Sequence, residues 1–174
     1  EVWDGKFATG YAGGSGTETD PYIIKTARQL AYLIKHDVID AVGSTYGKYY
    51  KLAADIYLNN IQDADWRTNN PNSWYETASN QRFGGNFNGD GYAIYGLYYN
   101  GTKYAGLFPY IEMWFNDVTI ENIVVSDAYL NTSADSIGTF AATLYGGNGH
   151  ELAFKNCFVD DNVYVASTNT SASC

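Results

Sequence analysis

A right-handed parallel β-helix (a solenoid), with one capping α-helix at its N-terminal end, is the architecture that this chain of 174 residues predicts. Three observations point to it. Residues 119–127 repeat at 153–161, an offset of 34, with apolar matching apolar, Asn122 matching Asn156 and Asp127 matching Asp161. Ala105-Gly106-Leu107-Phe108 matches Ile137-Gly138-Thr139-Phe140 at an offset of 32. From Phe83 onward, short apolar runs are separated every few positions by turn residues. A unit of about 30 residues built from such short strands cannot bury its own apolar face, whereas units stacked about 4.8 Å apart share one continuous core. A β-sandwich is the rival fold; it predicts hairpin turns and no fixed register.

Each element follows from local chemistry. Residues 10–20 are a Gly/Ser/Thr loop, and Asp20-Pro21 leads into a short strand, Tyr22-Ile23-Ile24. Thr26-Ala27-Arg28-Gln29 has the form of a capping box, with Leu30, Leu33, Ile34 and Val38 following at helical spacing. This predicts an amphipathic helix over about residues 27–39, within an N-terminal cap region of residues 1–45. Residues 46–174 form the coils, so that 1–174 is a single module. Residues 49–58 read as a strand with Tyr50, Leu52, Ala54, Ile56 and Leu58 on one side. The polar stretch down to Gln81 reads as a long loop anchored by Trp66 and Trp74. Residues 93–100 are placed one unit before 119–127, with Gly96 at the position of Asn122. Asn122 and Asn156 are expected at coil corners, where a left-handed backbone suits Asn and stacked amides hydrogen-bond along the axis.

Charge excludes some functions. The net charge is −9, and after Arg82 nine acids face only Lys103 and Lys155. Nucleic acid and anionic membranes require a basic face, so neither is an expected partner. No apolar run is long enough to span a bilayer. Asn is absent before Asn59 and occurs 16 times from there on, which sets the coils apart from the cap region.

Candidate chemistry is sparse. Cys157 and Cys174 could form one disulfide in an oxidising compartment, or be two small buried hydrophobes. Sequons at Asn100, Asn131 and Asn169 match by chance in so Asn- and Thr-rich a chain. Signatures of nucleophile elbows, phosphate loops and zinc proteases are absent. His36 and His150 have no carboxylate or Cys neighbours at ligand spacing and read as solvated. Asp127 and Asp161 should stack one coil apart, with Asp160 beside them; they are either turn residues or a calcium site, and no other cofactor is expected. Tyr95, Tyr98, Tyr99, Tyr104, Tyr110 and Trp114 crowd one stretch. Those facing out would offer flat contact surfaces for a glycan or a protein, while the bland alternative is Tyr packed along the solenoid.

Several motifs carry a resemblance. Trp3-Asp4-Gly5, the Gly-Ser-Gly-Thr stretch before Asp20-Pro21-Tyr22-Ile23-Ile24, and Thr26-Ala27-Arg28-Gln29-Leu30-Ala31 come first. Residues 50–58 and Trp66 follow, and then Phe83-Gly84-Gly85-Asn86-Phe87-Asn88-Gly89-Asp90-Gly91-Tyr92-Ala93-Ile94. With Gly106-Leu107-Phe108-Pro109, these resemble the GLUG-motif family of bacterial β-helix modules over nearly the whole chain. Two positions depart from its pattern: Pro109 stands where a small residue is usual, and Asn88 where Asp is usual. The resemblance implies a secreted or cell-surface bacterial protein, of adhesin-like, IgA-peptidase-like or cellulosome-associated kind. It transfers no catalytic residue, because the motif is structural.

The expected function is therefore a non-enzymatic module for adhesion or ligand display, binding a glycan or a host or bacterial surface protein. The alternative is a carbohydrate-active β-helix enzyme, a lyase or glycoside hydrolase, or a module appended to a surface peptidase. Continuing the 34-residue register puts Cys174 level with Phe140, mid-coil, so a piece of a longer protein is expected.

Overall fold

The structure is a computed structural model and describes residues 1–170. Its strands are β1 (Tyr22–Ile24), β2 (Tyr49–Leu52), β3 (Ile56–Tyr57), β4 (Asn86–Asn88), β5 (Ala93–Tyr95) and β6 (Tyr98–Gly101), then β7 (Tyr110–Met113), β8 (Val118–Ser126), β9 (Tyr129–Thr132), β10 (Thr143–Gly146), β11 (Leu152–Val159) and β12 (Tyr164–Ser167). Every pairing between these strands is parallel. They build a parallel β-solenoid of about four turns with a single short helix near the N-terminus. One face stacks β1-β2-β4-β8-β11, with β3 and β5 joining the second half of β8; a second stacks β6-β9-β12 and a third β7-β10.

Both sequence offsets are coil-to-coil registers. Thr119 pairs with Ala153 and Val125 with Val159, 34 residues apart. Ala105 bridges Ile137, and the Leu107 N–H donates to the Thr139 carbonyl, both 32 apart. The register expected for residues 93–100 is corrected. Ala93 pairs with Val124, and Gly96 N–H donates to Ser126, so Gly96 lies level with Asp127 rather than Asn122. Both Gly96 and Asp127 have positive φ, 72° and 51°. The turn Gly89-Asp90-Gly91-Tyr92 is two residues longer than the Asn122-Ile123 corner opposite it, so β4 pairs with β8 at an offset of 33 and β5 at 31.

Asn122 sets the geometry of the longest strand. Its φ of 53° is left-handed, so the alternation of inward and outward side chains restarts there. Val118 and Ile120 point inward before it, and Ile123 and Val125 after it, all four fully buried. Inward positions then stack into continuous rows, such as Tyr50–Phe87–Ile120 and Ile56–Ile94–Val125.

The N-terminal end is closed as expected, with one difference in winding. Helix α1 spans Ala27–Tyr32, and its cap Thr26 accepts from the Gln29 N–H at 3.3 Å while the Gln29 side chain accepts from the Lys25 N–H at 2.8 Å. The helical path then widens into a π-helical segment, Leu33–Asp40. There the buried carboxylate of Asp37 accepts hydrogen bonds from the hydroxyls of Tyr11 and Tyr50, and pairs with His36. Leu30, Leu33, Ile34 and Val38 belong to the core. The long loop is anchored as read: Trp66 and Trp74 are buried, and the Trp74 indole N–H donates to the Leu107 carbonyl at 3.0 Å.

Candidate functional site

Coils stacked in register turn every outward position into a row along the axis, about 4.8 Å per step. On the longest sheet one such row is Lys51–Asn88–Glu121–Lys155. Tyr49, Asn86 and Thr119 run beside it, and the two rows lie in a groove of about 560 Å³ that also takes in Glu18 and Asp117. The groups are held in place. Asn88 donates to Glu121 at 2.9 Å, the Thr119 N–H donates to Asn86 at 2.9 Å, and Lys51 pairs with Asp90 at 3.0 Å. Asp117 accepts from the Glu151 N–H at 3.0 Å and pairs with His150 at 3.1 Å. Those contacts, the backbone donor first, hold its carboxyl below the usual carboxylate range. Sequence reasoning missed this groove, although the 34-residue register already placed Glu121 and Lys155 in one row.

Aromatic side chains form separate ladders, one beyond the Asn122 corner on the same sheet and one on the β6-β9-β12 sheet. Tyr57 stacks on Tyr95 with ring centroids 4.8 Å apart. On the β6-β9-β12 sheet, Tyr98 stacks on Tyr129 at 5.4 Å and Tyr129 on Tyr164 at 4.9 Å, with Trp66 edge-on to Tyr98. Of the six aromatics singled out, Tyr95 and Tyr98 are half-buried members of these ladders. Trp114 is 44% exposed and lies against Gly147, where any side chain would collide with the indole. Exposed Phe115 follows it and touches Tyr46, a neighbour not foreseen.

Tyr99 and Tyr110 are corrected from exposed to buried, Tyr99 in the core and Tyr110 beneath neighbouring rings. Strand alternation puts Tyr99 on the face opposite Tyr98. Its hydroxyl donates to Glu76 and accepts from the Lys103 N–H, both at 2.8 Å. Burial pushes the Tyr99 phenol up to about 12. Tyr110 is buried between Tyr104 and Tyr145, and burial pushes it up to about 12 as well. Tyr104 is half-buried and hydrogen-bonded to Asp135. The six therefore do not make one strip.

The acidic trio is also rearranged. Asp160, not Asp161, faces Asp127: the Ser126 hydroxyl donates to Asp127 at 2.9 Å and also contacts Asp160. Asp160 continues the 34-residue register of β11 beside Ser126, and one extra residue follows it before β12, which pairs Tyr164 with Tyr129 at an offset of 35. Asp161 joins neither. Among the described residues, no group of three or more His, Cys, Asp or Glu could hold a metal ion. His36 and His150 remain solvent-accessible as expected, but each pairs with an aspartate, Asp37 and Asp117, that was not foreseen. The asparagine ladder is present and longer than expected. Asn156 donates to Asn122 at 3.1 Å and Asn122 to Asn88 at 3.2 Å, and both Asn122 and Asn156 have left-handed φ. Cys157 is half-buried, and burial raises its thiol pKa. Its suggested disulfide partner, Cys174, lies outside the described residues.

Two relatives share this geometry's sequence. A protein of Evansella cellulosilytica named as a Gly-rich membrane protein is 31% identical over 158 residues, covering 89% of this chain and 15% of its own. Halomucin of Haloquadratum walsbyi is 26% identical over 146 residues, covering 81% of this chain and 2% of its own. The chain thus spans a small part of the length of these relatives. No family model matches the chain, and no solved structure matches it significantly. No helix among the described residues is long and apolar enough to cross a membrane.

Proposed function

We propose that this chain is a non-enzymatic β-solenoid module of a secreted or cell-surface protein of the GLUG-motif kind, acting in adhesion or ligand display. The observation that carries the reading is the Lys51–Asn88–Glu121–Lys155 row in its groove. Amide, ammonium and carboxylate groups recur there at a fixed axial step, held on a backbone that stacking keeps rigid. An extended ligand rich in hydroxyls, such as a glycan chain, can bond to successive coils without ordering them first. The names of the two relatives, a membrane protein and a halomucin, support a surface setting. The enzymatic alternative lacks support from β8. Asp117 and Glu121 are four residues apart, about 13 Å of backbone, against roughly 5–9.5 Å for a hydrolytic carboxyl pair. A carboxyl held below its usual range, as in Asp117, is also a poor proton donor at neutral pH.

A glycan array followed by calorimetry tests the reading. Lys51→Ala combined with Glu121→Gln should weaken binding roughly tenfold or more, on the scale of two lost charged hydrogen bonds, with the melting temperature little changed. Binding that is unaffected by the groove variant, or an array inert to the wild-type chain, would count against it.

A further inference from the structure

The two ends of the stack differ. Helix α1 and the π-helical segment close one end with buried Leu30, Leu33, Ile34 and Val38. At the other end the last coil shows interior positions to solvent. Phe154 lies one coil below Ile120 and is 42% exposed, Val159 lies below Val125 and is 49% exposed, and Leu144 lies below Ile111 and is 52% exposed. The three residues they stack on are 0% exposed. They border an apolar hollow of about 500 Å³ that reaches Ile137 and Phe140. Among the described residues the strand edges are open as well: β10 pairs only with β7, β11 only with β8 and β12 only with β9. The asparagine ladder has a direction, each amide donating to the coil before it. The Oδ1 of Asn156 is thus placed to accept from a further amide in the same direction.

We propose that this face is a docking surface for one further parallel coil, supplied by the same polypeptide. Apolar shape alone would admit many partners, but the strand edges and the ladder specify more. They require strands parallel to β10, β11 and β12, apolar side chains beneath Phe154 and Val159, and a side-chain donor beneath Asn156. A coil continuing the stack meets all three, because the contacts of β8 with β4 and of β11 with β8 already do. A second copy docked end to end would bring its strands in antiparallel and its Asn156 acceptor against an acceptor. Both relatives extend far beyond the stretch they share with this chain, which leaves length for such a coil.

The test joins residues 1–170 to a second copy of residues 137–170, so that each added residue lies 34 positions after its template. Amide exchange is then followed in β11 and β12. The amides that point away from β8 and β9 should gain protection by roughly 100-fold, as for strands that acquire a ladder partner. Phe154→Asp should barely change the melting temperature of the parent chain and lower that of the extended chain by roughly 5 °C or more. Unchanged exchange at those amides in an otherwise folded extended chain overturns the proposal. So does a concentration-dependent dimer of the parent chain that Phe154→Asp abolishes, since it makes a second copy the occupant. The parent chain gives a reading that does not need the extension to fold: it should bind an apolar dye, and Phe154→Asp with Val159→Asp should remove that binding. A monomeric parent that binds no dye would sink the idea.

Discussion

Asn122 does two jobs that are separable by mutation. Its left-handed φ restarts the inward–outward alternation of β8, and its amide is the middle rung of the Asn88–Asn122–Asn156 ladder. Leucine there incurs the left-handed penalty, about 1–2 kcal/mol, and loses two amide bonds worth about 1 kcal/mol each. Asn122→Leu should therefore cost about 3–4 kcal/mol in chemical denaturation. Asn131→Leu loses only its 2.9 Å bond to Asn100 and keeps an ordinary backbone, so its cost should be clearly smaller. Asn122→Gly, which keeps the turn and loses the ladder, should fall between them. Equal small effects would refute the ladder. Buried tyrosines set the alkaline limit. Burial favours the neutral phenol, so Tyr99 is held at about 12 while an unfolded tyrosine titrates near 10. The unfolded state then releases protons first as pH rises, so this contribution is full below pH 10 and disappears as pH climbs through about 12. Tyr46, raised to about 12 by burial and by its bond to Glu112, acts in the same direction. The melting temperature should drop from about pH 10 upward, and Tyr99→Phe should flatten that drop.

The helical cap and the tyrosine ladder stabilise the molecule by different means. Thr26→Ala removes the cap acceptor of α1 and should cost about 1 kcal/mol. Leu30→Ala opens a void beneath the cap and should cost about 2–5 kcal/mol, so the two substitutions separate helix initiation from closure of the core end. In the ladder, Tyr129 is stacked on both sides. Tyr129→Ala should cost about 1–3 kcal/mol, two aromatic pairs at about 0.5–1.5 each, without disturbing inward Leu130. Its far-ultraviolet circular dichroism should match wild type, and a lost strand signal would place Tyr129 in the core instead. The ladders also explain why so Tyr-rich a chain stays ordered: each ring covers its neighbour in the next coil.

A stack of coils is nearly one-dimensional, so local stability follows the number of neighbours. The first half of β8 lies between β4 and β11, whereas among the described residues β10, β11 and β12 are each paired on one side only. Amide exchange should therefore be slowest in β8 and fastest in β10 to β12, whatever the local propensity. Uniform protection along the chain would contradict solenoid behaviour. The groove depends on the same geometry, because its rows exist only where three or more coils are stacked.

Repetition made the stacking legible. Offsets of 34 and 32, the single helical period at 27–39 and the turn residues after Phe83 were enough to define a parallel solenoid with one capped end. Those signals are local, since each coil repeats the same choice of apolar, polar and turn residue. Three features were decided by contacts between coils. The turn Gly89-Asp90-Gly91-Tyr92 set the register of β5, alternation sent Tyr99 inward while neighbouring rings covered Tyr110, and the side chain of Asp160 rather than Asp161 came to face Asp127. The groove belongs with them: its rows draw on residues from Glu18 to Lys155 that become neighbours only when the coils stack. Composition and period act along the chain and so determined the fold, whereas the facing and neighbours of each side chain depend on the summed lengths of every corner, which only the folded stack settles.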